Sequence, residues 1–246
     1  FDVFFYDDFQ HKVTAGYFIP AIIDKTTTGF SVSGGEKLQK DKGYLFISNH
    51  RDIILDCTLL DYALKSMNLP LCEMAVGDNL MVNQMVEDLF RMNGGIIIKR
   101  NLPMRDKYLE SIRISEYFVE TVSEENKSIW VAQKSGRSKD GKDLTQSAII
   151  KMLYLGPKKD KISFAEVIKN CHIMPVAISY EDDPNTINKA REEVATAVKG
   201  EYNKRPMEDV ISMVKGLREW KGNVHLSFGD VIDGEYNSAE DVAAEV

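Results

Sequence analysis

Several stretches of the chain are almost continuously apolar, and amphipathic or polar segments separate them. Tyr44–Ile47, Gly94–Ile98, Ser128–Ala132, His172–Tyr180 and Val224–Gly229 are short, and most are rich in β-branched and aromatic residues; they read as buried strands. The segments between them carry helical spacing. Ile53, Cys57, Leu60, Leu64 and Met67 mark one helical face. Leu80, Met81, Met85, Leu89 and Met92 mark a second, whose methionines read as core filler. A long helix over Met104–Ser123 is expected to bury Tyr108, Ile112, Phe118 and Val122. Further helices are predicted over 145–155, 186–199, 207–219 and 238–246. Strands that alternate with helices predict an α/β fold: a single domain, 1–246, with a central, mostly parallel sheet flanked by helices. Residues 1–35 read as a helical, aromatic N-terminal segment packing on that domain. It carries Phe1, Phe4, Phe5, Tyr6, Phe9, Tyr17, Phe18 and Phe30, and its helix is expected to end near Pro20. Core packing is favoured for these aromatics over contact with a membrane or an acyl chain.

Charge and cysteine content narrow the function. A net charge of −7 over 246 residues argues against a dedicated nucleic-acid binder. The three cysteines, Cys57, Cys72 and Cys171, have no metal-ligand spacing and cannot all pair, which points to a reducing compartment. The four histidines are scattered and form no metal motif. No apolar stretch approaches the roughly 20 residues needed to span a bilayer, and no signal peptide is visible. The sequence starts at Phe1, so an anchor could precede it.

The chemistry gathers where strands end. The first strand runs into Asn49, His50, Arg51 and Asp52, with Asp56 following in the helix. The second ends in Lys99 and Arg100, and the third in Lys134, Ser135, Gly136 and Arg137. Each cation alone is more often a solvated surface charge, and a lone histidine more often caps a helix. Parallel strands would bring all of these to one edge of the sheet, setting a possible general base beside fixed positive charges. That arrangement suits a substrate with a phosphate near a reacting hydroxyl. The usual fingerprints of nucleotide hydrolysis, dinucleotide binding and α/β-hydrolase catalysis are absent.

The order of these blocks resembles the glycerophosphate and lysophospholipid acyltransferase family over residues 44–180. His50 and Asp56 match its His-x4-Asp block with one residue more between them. Gly94–Arg100 fits the second block throughout. Ala132–Ser138 keeps the Gly-Arg character of the third and lacks its Glu, and Met174-Pro175-Val176 matches the fourth. The resemblance implies transfer of a fatty acyl group from an acyl thioester, acyl-CoA or acyl carrier protein, to a hydroxyl of lysophosphatidic acid, glycerol phosphate or a related lysolipid. His50 would be the general base and Asp56 its orienting carboxylate, with Asp52 the rival whose simpler role is a helix cap. Arg100 and Arg137 would hold the phosphate, helped by Lys99 and Lys134. Asn49, Arg51, Ser135 and Gly136 complete the expected substrate-binding set. No metal or redox cofactor is implied. The enzyme would work peripherally on the cytoplasmic face of a membrane, touching it through the N-terminal aromatics and the Lys158–Lys161 loop. Three alternatives stay open: an acyltransferase for an amino-acid-containing lysolipid, which the missing Glu favours keeping open, a weakly active lipid- or acyl-thioester-binding protein, and a hydrolase that uses His50 to activate water on the same thioester.

Overall fold

The computed structural model describes residues 8–205 and 207–246. Its strands are β1 (Gly29–Ser33), β2 (Leu45–Ser48), β3 (Cys72–Gly77), β4 (Gly95–Ile98), β5 (Ser128–Ala132), β6 (Ile173–Tyr180) and β7 (Asn223–Phe228). They form one sheet in the order β1-β7-β6-β2-β5-β3-β4. The five strands from β6 to β4 are mutually parallel, β7 is antiparallel to β6, and β1 runs parallel to β7. All five parallel strands therefore end on one edge, and the chain enters β7 from that same edge.

The helices are α1 (Ile19–Thr26), α2 (Leu55–Ser66), α3 (Gln84–Arg91), α4 (Met104–Ser123), α5 (Ser147–Leu153), α6 (Phe164–Asn170), α7 (Thr186–Lys199), α8 (Glu208–Arg218) and α9 (Ala239–Glu245). Consecutive side chains around β2 go to opposite faces. Tyr44 and Phe46 join a core with Leu60 and Leu64 of α2 and Ile19 and Ile22 of α1. Leu45 and Ile47 join a second core with Phe118 and Val122 of α4 and Val242 of α9. Both faces are covered, which is why these strands show no polar alternation. Burying Phe46 or Phe118 contributes about 1.5–3 kcal/mol each.

Between β6 and β7 the chain makes one excursion, residues 181–222, which carries α7 and α8. Tyr180 pairs with Val224 across the β6–β7 boundary, so the excursion starts and returns at the carboxyl edge. It sits there as a helical cap.

Several expectations need correction. The apolar pattern does not reveal β1 and β3, because Ser31 and Ser33 interrupt the first and Glu73 the second. The helix expected over 80–92 is shorter, Gln84–Arg91, and its methionine stripe is misphased. Val86 and Phe90 face the core, while Met85, Leu89 and Met92 are exposed. Tyr108 is exposed in the first turns of α4, whereas Ile112, Phe118 and Val122 are buried. The N-terminal helix does not end at Pro20. Wide π-type turns over Phe9–Phe18 pass directly into α1, and Pro20 sits in the first turn of α1. Phe1, Phe4, Phe5 and Tyr6 lie outside the described residues; Tyr17 and Phe18 are exposed.

Candidate active site

β2 delivers His50 to the carboxyl edge, and the turn that follows folds α2 back beneath it. His50 Nδ1 lies 2.8 Å from Asp56 Oδ2. A carboxylate can only accept, so Nδ1 carries the proton and Nε2 is left as an acceptor. The same Oδ2 accepts the backbone N–H of Arg51 at 2.6 Å and of Asp52 at 2.9 Å. Asp56 Oδ1 accepts the hydroxyl of Tyr180, at the end of β6, at 2.9 Å. These four bonds fix a buried carboxylate that has no freedom to leave the ring. The extra residue between His50 and Asp56 is taken up in the turn 51–54 before the helix begins.

Asp52 does different work. Its Oδ1 accepts the N–H groups of Ile54 and Leu55, each at 3.0 Å, and so caps the start of α2. Burial, and then the neighbouring Asp56, push its carboxyl above the ordinary value. The cap lies against it: a Cβ at Gly216 of α8 would fall 2.1 Å from Asp52 Oδ2. Lys189 of α7 donates to the carbonyl of Arg51 at 2.6 Å and pairs with Asp183, tying the cap to the turn after His50. Burial and the charges of Asp56 and Asp52 push the Tyr180 phenol well above its usual value, so it stays a donor.

His50 opens onto a cavity of about 110 Å³, which Trp130, Arg100, Lys134, Gly136, Arg137 and Lys204 also line. Trp130 meets the imidazole edge-on at 5.8 Å. The loop after β5 is drawn against the histidine by a 2.7 Å bond from the Ser138 N–H to the His50 carbonyl. Gly136 has φ +79°, a left-handed conformation that glycine adopts without strain. Arg100 leans across the end of β3, where a Cβ at Gly77 would fall 2.6 Å from its Nε. Nη1 of Arg137 is buried without a hydrogen-bond partner. A buried guanidinium nitrogen left unpaired costs free energy unless an anion meets it.

Not every expected residue joins this cavity. Lys99 lines a separate hollow at the β4 edge with Glu73, Glu87 and Glu110, because successive residues leaving a strand point to opposite faces. Asn49 braces β2 to β6, donating to the Ile178 carbonyl at 2.9 Å and accepting its N–H at 2.8 Å. Arg51 pairs with Asp143 at 2.5 Å. Ser135 is exposed, with Oγ 3.4 Å from Arg100 Nη1. The structure adds Tyr180, Lys189, Lys204 and Asp209, which the sequence reading did not single out. Tyr180 could have been found as the polar end of a strand on the same edge. Nothing local marks Lys204. Among the described residues, no group of His, Cys, Asp and Glu is arranged to hold a metal ion.

An imidazole backed by a buried carboxylate thus faces clustered cations at the carboxyl edge of the parallel strands. A model of the acyltransferase family matches residues 29–179, more than half of the chain, and the chain belongs to that family. It is 24% identical over 205 residues to the dihydroxyacetone phosphate acyltransferases of Bos taurus and Homo sapiens. Those alignments cover 81% of this chain and 28% of each relative, so the chain spans little more than a quarter of their length. The 1-acyl-sn-glycerophosphate acyltransferase PlsC of Thermotoga maritima superimposes over 96% of this chain and 77% of its own, with 15% identity and a TM-score of 0.48.

Proposed function

We propose that this domain transfers a fatty acyl group from an acyl thioester, acyl-CoA or acyl carrier protein, to the hydroxyl of a phosphate-bearing acceptor such as lysophosphatidic acid, glycerol phosphate or a related lysolipid. The observation that carries the reading is the His50–Asp56 pair opening onto the same cavity as Arg100, Lys134 and Arg137. His50 Nε2 takes the proton of the acceptor hydroxyl as its oxygen attacks the thioester carbonyl. Asp56 holds the ring in the tautomer that permits this and stabilises the imidazolium. Collapse of the tetrahedral intermediate re-forms the carbonyl and breaks the carbon–sulfur bond. The departing thiolate takes the proton from His50, which returns to its starting state. Backbone N–H groups near Gly136 are suited to the oxyanion. Arg100, Lys134 and the unpaired nitrogen of Arg137 hold the phosphate, Arg137 gaining the partner it lacks. No step requires a metal or redox cofactor. Among the described residues no helix is long and apolar enough to cross a membrane, and the reading has this domain meet its lipid substrates peripherally, at the cytoplasmic face.

The test is incubation with a long-chain acyl-CoA and lysophosphatidic acid, glycerol phosphate or dihydroxyacetone phosphate in turn. Thiol release and lipid products are followed together, with His50→Ala as control. Acceptor-dependent thiol release with a new acylated product, lost in the variant, supports the proposal. Fatty acid release independent of acceptor would make the domain a thioester hydrolase. Binding of acyl-CoA without consumption would make it a binding protein.

A further inference from the structure

The cap formed by α7 and α8 carries apolar residues that the core does not use. On α7, Ile187, Val194 and Val198 are joined by Arg191 at spacings of four, three and four; on α8, Ile211, Val214 and Arg218 follow at three and four, with Met207 just before the helix. That spacing makes one stripe along each helix. All eight residues are exposed, Val194 at 62% and Val198 at 77%. Arg191 of the first stripe and Ile211 of the second line one hollow between the helices. Trp220, just past α8, is 53% exposed.

The charges on this surface are uneven in their pairing. The acids Glu192, Glu208 and Asp209 are engaged by Lys139, Tyr202 and Lys204. Five cations, Arg191, Lys199, Arg205, Lys215 and Arg218, have no ion-pair partner among the described residues, against three such acids, Glu193, Glu201 and Glu219. A protein of net charge −7 thus presents these exposed apolar residues at a place where unpaired cations outnumber unpaired acids. That place adjoins the chemistry: Lys204 and Asp209, from the end of the same helical pair, line the His50 cavity. The stripe on α3 differs, since Asp88 sits between Met85, Leu89 and Met92. The Lys158–Lys161 loop differs too. It follows α5, which leads away from the carboxyl edge, and Lys159 is paired with Glu116.

We infer that the α7–α8 cap is the surface by which this domain docks on an anionic lipid bilayer, laying the two stripes among the acyl chains and its arginines among the headgroups. The inference rests on the proposed lipid acyltransfer, because a substrate anchored in a bilayer must reach His50 from the edge on which the cap stands. Exposed apolar stripes bordered by cations and a tryptophan have the chemistry of an interfacial surface.

Flotation with vesicles of phosphatidylcholine alone or mixed with phosphatidylglycerol tests it without requiring turnover. Wild type is expected to float with the anionic vesicles and to lose binding as salt rises. Val198→Asp with Ile211→Asp should weaken binding on the order of tenfold or more, and Arg191→Gln with Arg218→Gln about fivefold for each cation. Thermal melts unchanged by these exposed substitutions would exclude unfolding. Transfer to water-soluble glycerol phosphate from a short-chain thioester should also be unaffected. If wild type fails to float, or the aspartate variant floats as well as wild type, the inference is wrong. A dimer in sedimentation that the same variant dissociates would instead make a second copy the occupant. A lack of acyltransfer with flotation intact would refute the proposed reaction and leave the docking surface standing.

Discussion

Asp56→Asn is the substitution that probes the site most sharply. Oδ2 of Asp56 is held by three donors: His50 Nδ1 at 2.8 Å and the N–H groups of Arg51 and Asp52 at 2.6 and 2.9 Å. Oδ1 accepts from Tyr180, whose hydroxyl can reverse its role. An asparagine should therefore place its oxygen where Oδ2 was and its NH₂ toward Tyr180, because the reverse would leave two buried backbone donors facing an amide donor. The histidine tautomer survives, and what is lost is the negative charge behind the imidazolium. A unit charge about 4 Å away is worth ~4 kcal/mol at an effective dielectric near 20. Part of that remains in the neutral hydrogen bond, which leaves a loss of roughly 2–4 kcal/mol, or on the order of 10²- to 10³-fold in kcat. Stability should also fall by about 1 kcal/mol per weakened bond. The assay is steady-state thiol release on protein shown to be folded by its melting curve. Activity within a few-fold of wild type would refute a catalytic role for the pair. A loss well beyond ~10⁴-fold would show that the amide had turned over and forced the wrong tautomer.

Other expectations follow from the same geometry. Arg137→Ala should raise KM for a phosphate-bearing acceptor on the order of 10- to 100-fold and leave kcat largely intact; an equal effect on a phosphate-free acceptor would contradict the anion role. Tyr180→Phe leaves Asp56 Oδ1 without its donor and should lower kcat about 10-fold with KM unchanged; a change confined to KM would point elsewhere. Gly216→Ala presses a methyl to within 2.1 Å of Asp52 Oδ2 and should cost about 1–3 kcal/mol, lowering Tm by roughly 2–4 °C per kcal/mol; an unchanged melt would mean the cap is not packed this closely. Asp61 is buried beneath Gln10 and Cys72, and desolvation raises its pKa to about 7. The folded state therefore holds this proton more tightly than the unfolded one. Stability from this group is full below about pH 4 and falls by up to ~1.4 kcal/mol per pH unit until about pH 7. Urea unfolding at pH 5 and 8 should show a smaller pH dependence in Asp61→Asn than in wild type, and equal dependence in both would refute the shift.

How much of this was legible in the sequence depends on where each element's determinants lie. The central strands were legible because both their faces are buried, so that Leu45–Ile47 and Ile129–Val131 are apolar throughout. β1 and β3 escaped notice because each carries polar residues that break the run, among them Ser31 and Glu73. The stripe on α3 misled because a short helix on the sheet's outer strand exposes its methionines and buries only Phe90 fully. His50, Asp56, Arg100 and Arg137 were legible as polar groups at strand ends, since parallel strands bring such ends together whatever the loops do. Lys99 was placed with them wrongly, because composition does not say which way a side chain leaves a strand. Lys204 and Asp209 were not visible at all. Their position depends on the path of the 181–222 excursion back over the edge, which no local pattern encodes.

That excursion also helps to hold the turn after His50. The turn after His50 has few backbone partners of its own between the end of β2 and the start of α2. Three elements supply them: Asp56 of α2 accepts the N–H groups of Arg51 and Asp52, Lys189 of the cap donates to the Arg51 carbonyl, and Ser138 of the β5 loop donates its N–H to the His50 carbonyl. His50 and its turn are therefore held from the helix below, the cap above and the cation-bearing loop beside them. In the proposed reaction a substrate phosphate that engages Arg137 would pull on a loop already bonded to His50, so that anion binding and base placement would share one piece of backbone. The same cap presents its unpaired stripes outward, which joins the surface that would meet a bilayer to the turn that positions the imidazole.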